Sequence, residues 1–321
     1  MPPSRVLVTG CSALAVLILT ACQPAVPVTP PSPTSAPSPT TSSPTPSPTP
    51  TVDLRTPGAA RRILDQLLDA AGPGRLIMVE LTAHTASVSV LTSGSPEPIT
   101  WAYRDAKLQL ADSDLQYVDQ ASFDLDDFDL SDVGRLFRVA AALSGQTENQ
   151  TLQIVDYSGG RVMMTVTTNP ESRTVFFNPD SSLLPELDYQ TEAGIAAGLA
   201  DVLAGRVVVR QVGVDSETGA WASYAGPDDS TVRCQRPPKI PVTTVVRDDP
   251  PPDEPFAVNR VDAAVIWQVV QRTMRRHDLD PETTWSVIMD DPTGSGEPQL
   301  RFVIGGVSLT TDATGRELPN P

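Results

Sequence analysis

Beyond Pro57 the apolar residues change period in an order that runs through twice, and this repetition narrows the available folds more than any other feature of the chain. Ile63, Leu64, Leu67, Leu68 and Ala71 form one stripe at helical spacing and Gly72-Pro73-Gly74 stops it, predicting a helix over about Ala59 to Ala71. Strand-period segments follow at Arg75 to Thr82, Thr85 to Thr92, Ile99 to Arg104 and Lys107 to Ala111, with turns at Ser93-Gly94-Ser95-Pro96 and Asp105-Ala106. A second helix over Ser131 to Leu143 puts Val133, Leu136, Phe137, Ala140 and Ala141 on one face and ends at Ser144-Gly145. Strands at Thr151 to Tyr157, Arg161 to Thr168 and Arg173 to Asn178 come next, the first two joined by the hairpin signal Ser158-Gly159-Gly160. From Thr191 the order restarts with a helix carrying Ile195, Leu199, Val202 and Leu203 and ending at Gly205. Strands are expected at Arg206 to Val214, Gly219 to Ala225, Asp228 to Cys234 and Val242 to Arg247, then a helix over Asn259 to His277. The last strands are Thr284 to Met289, Gln299 to Ile304 and Val307 to Thr311.

Matching elements are offset by roughly 130 residues, the length of one domain. The expected fold class is α+β: a tandem duplicated helix-on-antiparallel-sheet module, each copy running helix, three to four strands, helix, three strands. The first repeat is placed at 58–188 and the second at 189–321. Amphipathic helices laid on one sheet face would bury a core, and Val162, Met164, Val166 and Leu300, Phe302, Ile304 show the required alternation. Asn259 is the expected cap of the last helix, with Arg272, Arg275, Arg276 and His277 complementing its negative end. The element order resembles helix-on-sheet modules of the PepSY and β-lactamase-inhibitor types, which implies binding or inhibition of other envelope proteins. No motif residue carries that resemblance, so no site is transferred from it.

The start of the chain is a different polymer. Arg5 followed by the apolar run Val6 to Leu19 reads as a signal peptide over residues 1–21, too short for a comfortable membrane span. It ends in Leu19-Thr20-Ala21-Cys22, which resembles the lipobox of bacterial lipoproteins. The resemblance implies that Cys22 is acylated on sulfur with a diacylglyceryl group and becomes the first residue of the mature chain. Two acyl chains, with an amide-linked third as an option, give stable anchoring where one would not. Residues 22–57 then comprise the lipidated Cys22 and a disordered linker, nearly all Pro, Ser, Thr, Ala and Val between Gln23 and Pro50. At ~3.1 Å per residue such a stalk reaches on the order of 90 Å. The expected location is the outer face of the cytoplasmic membrane, within the cell-wall layer. Lysine occurs only at Lys107 and Lys239 against many arginines, a bias that resembles high-GC Gram-positive proteins.

Cysteine usage agrees with this layout. Cys11 leaves with the leader and Cys22 is consumed by lipid, so Cys234 has no disulfide partner and is expected to pack as a small apolar side chain. A net charge of −16, falling to −17 when the leader takes Arg5 away, argues against nucleic acid as a partner.

Familiar chemistry is missing from the sequence. The two histidines, His84 and His277, are far apart, and no Cys-x-x-Cys, Gly-x-Ser-x-Gly, Ser-x-x-Lys or Walker-type loop occurs. The acidic run through Asp112, Asp114, Asp119, Asp124, Asp126, Asp127, Asp129 and Asp132 admits a calcium reading. It lacks the EF-hand glycine and terminal glutamate, and Phe123, Leu125, Phe128 and Leu130 fit a connector anchored by its apolar residues. The second acidic stretch, Asp248-Asp249-Pro250-Pro251-Pro252-Asp253-Glu254-Pro255, reads as a stiff exposed loop. Gly294-Ser295-Gly296 reads as a hairpin loop rather than an anion nest, and Asn149-Gln150-Thr151 as a chance sequon. Asp290 and Asp291 are adjacent, which on a strand sends them to opposite faces and argues against a hydrolytic dyad. Trp101, Trp221, Trp267 and Trp285 are expected in core or half-core packing.

The function expected from these features is a non-enzymatic lipoprotein, tethered to the membrane through Cys22 and binding or regulating another envelope protein, without cofactor or metal. The alternatives are a carrier of a small apolar ligand or lipid beside the membrane and, more remotely, a hydrolase with a non-standard acidic site.

Overall fold

A computed structural model describes residues 52–95, 97–112, 120–170, 173–250 and 253–319. The leader, Cys22, the stalk up to Thr51, and Asp114 and Asp119 of the acidic run lie outside the described residues. The described residues carry four α-helices and two seven-stranded antiparallel sheets.

The first half begins with α1 (Ala59–Ala71), whose stripe of Ile63, Leu64 and Leu67 is buried as the spacing predicted. Four meandering strands follow, β1 (Arg75–Leu81), β2 (Ala86–Leu91), β3 (Ile99–Arg104) and β4 (Lys107–Ala111). Then come α2 (Val133–Ser144), β5 (Gln150–Ser158), β6 (Arg161–Thr168) and β7 (Val175–Phe177). The sheet order is β4-β3-β2-β1-β5-β6-β7, so β5 returns from α2 to pair with β1 instead of extending the meander at β4. α2 starts where the Asp132 side chain accepts from Arg135 N–H at 2.8 Å and stops at Gly145, whose φ of 75° most side chains avoid. α1 packs over β2 and β3 and α2 over β6 and β7, and one face of the sheet meets both in a continuous apolar core.

The second half holds α3 (Glu192–Leu203), β8 (Val208–Val209), β9 (Gln211–Asp215), β10 (Gly219–Ala225), β11 (Thr231–Arg236), β12 (Thr243–Arg247), β13 (Phe256–Ala257), α4 (Ala263–Arg276), β14 (Trp285–Asp290), β15 (Gln299–Ile304) and β16 (Val307–Asp312). Its sheet runs β12-β11-β10-β9-β14-β15-β16, the same path as the first, with β14 in the place of β5. α3 sits over β10 and β11 and α4 over β15, enclosing a second core with Trp285, Phe302 and Ile304 at its centre.

Three expected elements differ from those observed. The single strand over Arg206 to Val214 is two, because Arg210 turns away and β8 pairs with β13 in a separate two-stranded ribbon, Phe256 opposite Val209. The strand expected at Asp228 begins only at Thr231: Pro227–Asp229 is a 3-10 turn with Asp228 and Asp229 at positive φ, and β11 runs on to Arg236. The helix expected from Asn259 starts at Ala263, since Asp262, in extended conformation, accepts from Ala264 N–H at 2.8 Å while Val258–Arg260 forms its own 3-10 turn.

The two halves meet along the chain between them and at one sheet edge. Leu187 N–H donates to Pro238 O at 2.9 Å, and the buried Arg236 holds Pro185 O at 2.8 Å. At the β5–β6 turn, Thr244 N–H of edge strand β12 donates to Ser158 Oγ at 2.9 Å. The described residues form one compact unit containing the two seven-stranded sheets and the two-stranded ribbon.

Candidate functional site

Strand alternation gives the second sheet two unlike faces. Cys234 of β11 enters the core under α3 and Val232, of the same parity, is buried too, so Arg233 and Gln235 point to the opposite, outer face. The ladder registers carry this face across the sheet: Thr243, Gln235, Trp221, Gly213, Ile288, Arg301 and Thr310 lie in one row. Trp221 lies flat across Gly213, where a Cβ would stand 2.2 Å from its Cε2, so the glycine is the seat of the ring. The Arg233 guanidinium stacks over the same ring, 3.9 Å from the centroid. On the same face Val245 stands opposite Arg233, Ile288 stands beyond Gly213 in the Trp221 row and Val303 lies one strand further on, exposed by 54%, 38% and 49%, and all four helices belong to the inner faces of their sheets. The outer face is thus a shallow aromatic and aliphatic surface bearing arginines.

Its lower end holds the acidic groups. Asp290 is buried on the outer side of β14; Arg301 donates to its Oδ2, while Oδ1 is covered and has no hydrogen-bond partner. Burial pushes the Asp290 carboxyl above its ordinary value; Arg301 opposes this, and Asp253 and Asp291 add to it. Asp253 lies against the same corner, accepting from Gln211 Nε2 at 2.5 Å and, through its carbonyl, from Arg210. Asp291 has the opposite shift. Burial would raise it, but the N–H groups of Gly296, Ser295 and Thr293 and the Thr293 hydroxyl outweigh burial and hold it low. The Gly294-Ser295-Gly296 hairpin is therefore wrapped around a carboxylate of its own chain, which occupies its amides. Two neighbouring carboxyls are thus tuned apart, and Asp291 is taken up by its own loop.

The other sequence candidates take structural roles. Cys234 is buried, 3.5 Å from Tyr224 Oη and from Thr244 Oγ1. In the acidic run, Leu125, Phe128 and Leu130 are buried, Asp124 caps a 3-10 turn and Asp129 accepts from Ser131 N–H at 3.0 Å. His84 sits in the turn that also holds Thr82 and Thr85, and His277 caps the C-terminal end of α4. Of the tryptophans, Trp285 is buried with its Nε1 donating to Gln190 Oε1 at 2.9 Å, and Trp101 and Trp267 flank the two cores. Trp221 is half-buried but belongs to neither core: it stands on the outer face, so of the core or half-core packing expected of it only the partial burial is observed. Two signals mark it in the sequence, the glycine between Val212 and Val214 and the parity of Trp221 between the inward Ala220 and Ala222.

Open concavities of about 780, 740, 760 and 320 Å³ lie beside α1 at Arg61 and Asp65, around His84 and Asn149, at the Ser93-Gly94-Ser95 turn, and between His277 and Glu317. The interior of each half holds a packed cluster of its own apolar side chains. Among the described residues no group of three His, Cys, Asp or Glu side chains is placed to hold a metal ion, and no helix is long and apolar enough to cross a membrane. Compared with known proteins, the chain matches no family model and has no significant sequence similarity to a curated protein.

Proposed function

We propose that this chain is a lipid-anchored, extracytoplasmic protein-binding module that docks a partner on the outer face of its second sheet. In this reading residues 1–21 are removed, Cys22 carries the lipid, the Pro/Ser/Thr-rich segment is a stalk, and the folded part is a duplicated pair of helix-on-sheet modules without catalytic activity. The matching strand order of the two sheets supports duplication. The observation that carries the docking assignment is Trp221, laid on Gly213 on the side away from the helices, with exposed Ile288 next beyond Gly213 in its row and exposed Val245 opposite Arg233. A flat aromatic with aliphatic neighbours offers contact area at low conformational cost, the usual make-up of an interface centre.

Photocrosslinking in the intact envelope tests this. A benzophenone amino acid at Ile288 or Val303 should yield one discrete protein adduct, lost when Trp221→Ala is added, while the same probe at Arg275 of α4 should yield none. Adducts of equal strength from both sides, or none from the outer face, would overturn the reading. Loss of palmitate labelling in Cys22→Ser tests the anchor.

A further inference from the structure

The outer face carries two arginines that the rest of the chain leaves unanswered. With 39 acidic against 23 basic residues, carboxylates are plentiful, and Arg61, Arg173, Arg236, Arg260, Arg276 and Arg301 each have one. Arg233 and Arg247 have none among the described residues, and no acceptor binds either guanidinium. An unpaired arginine that is fully exposed is ordinary. Arg233 differs in being half-buried and held flat on Trp221, which fixes its fork of N–H donors before any ligand arrives. Its neighbour Arg247 is diagonal to it on the same face, since Arg233 faces Val245 and Thr231 faces Arg247 across the β11–β12 ladder. Burial first, and then the charge of Arg247, pushes the Arg233 guanidinium below its ordinary value. Asp248 and Asp249 follow Arg247 directly, yet neither forms an ion pair with these arginines. Two like charges side by side, one of them pre-oriented and desolvated, form a receptor for carboxylates.

We propose that the Trp221, Arg233 and Arg247 platform binds an acidic segment of a partner protein, its carboxylates meeting the arginine forks and its apolar residues meeting Ile288 and Val245. This rests on the docking reading above. The chain's overall negative charge does not forbid it, because at physiological salt charges more than about 8 Å away are largely screened and the local pair dominates.

The test titrates the full chain with acetylated hexaglutamate, hexaglutamine and inorganic phosphate, followed by NMR of the arginine Nε–H and tryptophan Nε1–H resonances. Hexaglutamate should shift Arg233 and Trp221 together and hexaglutamine should not. Arg233→Gln should weaken binding about tenfold or more, Arg233→Lys by less, and Arg275→Gln not at all. Circular dichroism and thermal midpoints of the variants confirm that each is folded. No shift with hexaglutamate, or equal losses in Arg233→Gln and Arg275→Gln, would sink the proposal. Saturation by phosphate at the same concentration would show a site for small anions instead. Self-association abolished by Arg233→Gln would make a second copy the occupant. If the peptide fails while crosslinks from Ile288 and Val303 persist, the face docks a partner that is not acidic; if both fail, the docking reading goes too.

Discussion

Arg236 Nε lies 2.9 Å from Asp201 Oδ2, in a pair whose arginine is 1% exposed and whose carboxylate is 43% exposed. The asymmetry arises because the pair is only one of the arginine's duties. Its Nη1 also donates to Ile240 O at 2.6 Å and to Pro237 O, and its Nη2 to Pro185 O, while the Tyr189 hydroxyl donates to the Arg236 carbonyl at 2.5 Å. The segment entering the second half is thereby fastened to the end of β11.

Replacing Arg236 with methionine should therefore cost about 3–5 kcal/mol, since it orphans several buried carbonyls at once. Asp201→Asn should cost less, about 1 kcal/mol, because the amide oxygen can still accept from Arg236 Nε and the carbonyl bonds of the guanidinium remain. Urea unfolding of both variants measures the contrast, and equal losses would mean that the ion pair, rather than the carbonyl network, sets the stability.

Gly213→Ala places a methyl where Trp221 now lies. The ring must lift, breaking the 3.9 Å stack with Arg233, and a loss of about 1–3 kcal/mol is expected. Comparing its tryptophan emission with that of Trp221→Phe shows whether Trp221 becomes more exposed. An unchanged spectrum and stability would show that the ring has room to spare.

The two adjacent aspartates should respond to pH in opposite senses. The Asp290 carboxyl is raised in the folded state by burial, so its contribution is fully present below the unfolded value of 3.8 and is lost as pH rises through the folded one. Asp290→Asn should thus stabilise the fold at neutral pH by about 1 kcal/mol and lose that advantage in strong acid. For Asp291 the loop amides prevail over burial and hold the carboxyl low, so its contribution is present above 3.8 and is lost as pH falls through the lowered folded value. Asp291→Asn should cost about 1–3 kcal/mol at neutral pH and progressively less in acid, with faster amide exchange at Gly296. Denaturation across pH reads both, and parallel profiles for the two variants would contradict the assignment.

Tyr224 is pushed up to about 12, first by burial and then by Cys234, against the opposing charge of Arg206 stacked 3.7 Å from its ring. Its contribution to stability is complete below the unfolded value of 10 and is lost as pH climbs through the folded one. Carbon NMR of the phenol should find it still protonated where a free tyrosine is half ionised, and Cys234→Ala should bring its titration downward.

Periodicity makes most elements readable in the sequence itself. The stripe Ile63, Leu64, Leu67 and the alternation Leu300, Phe302, Ile304 each bury one face, and burial follows from spacing alone. Helix starts were less secure. Asn259 and Asp262 are both good caps, and the choice between them fell to the 3-10 turn Val258–Arg260, which is set by the pairing of Phe256 with Val209.

The lipobox resemblance, the stalk composition and the two rounds of helix and strand come from local order in the chain, because side-chain spacing and backbone preference act over a few residues. The meeting of Trp221 with Gly213 and Arg233, the burial of Asp290 and the carbonyls gathered by Arg236 depend on which strands pair and in what register. A shift of one residue would turn Trp221 inward and Cys234 outward with no change in composition. Only the assembled sheet, closed on one side by helices, decides which face is left open.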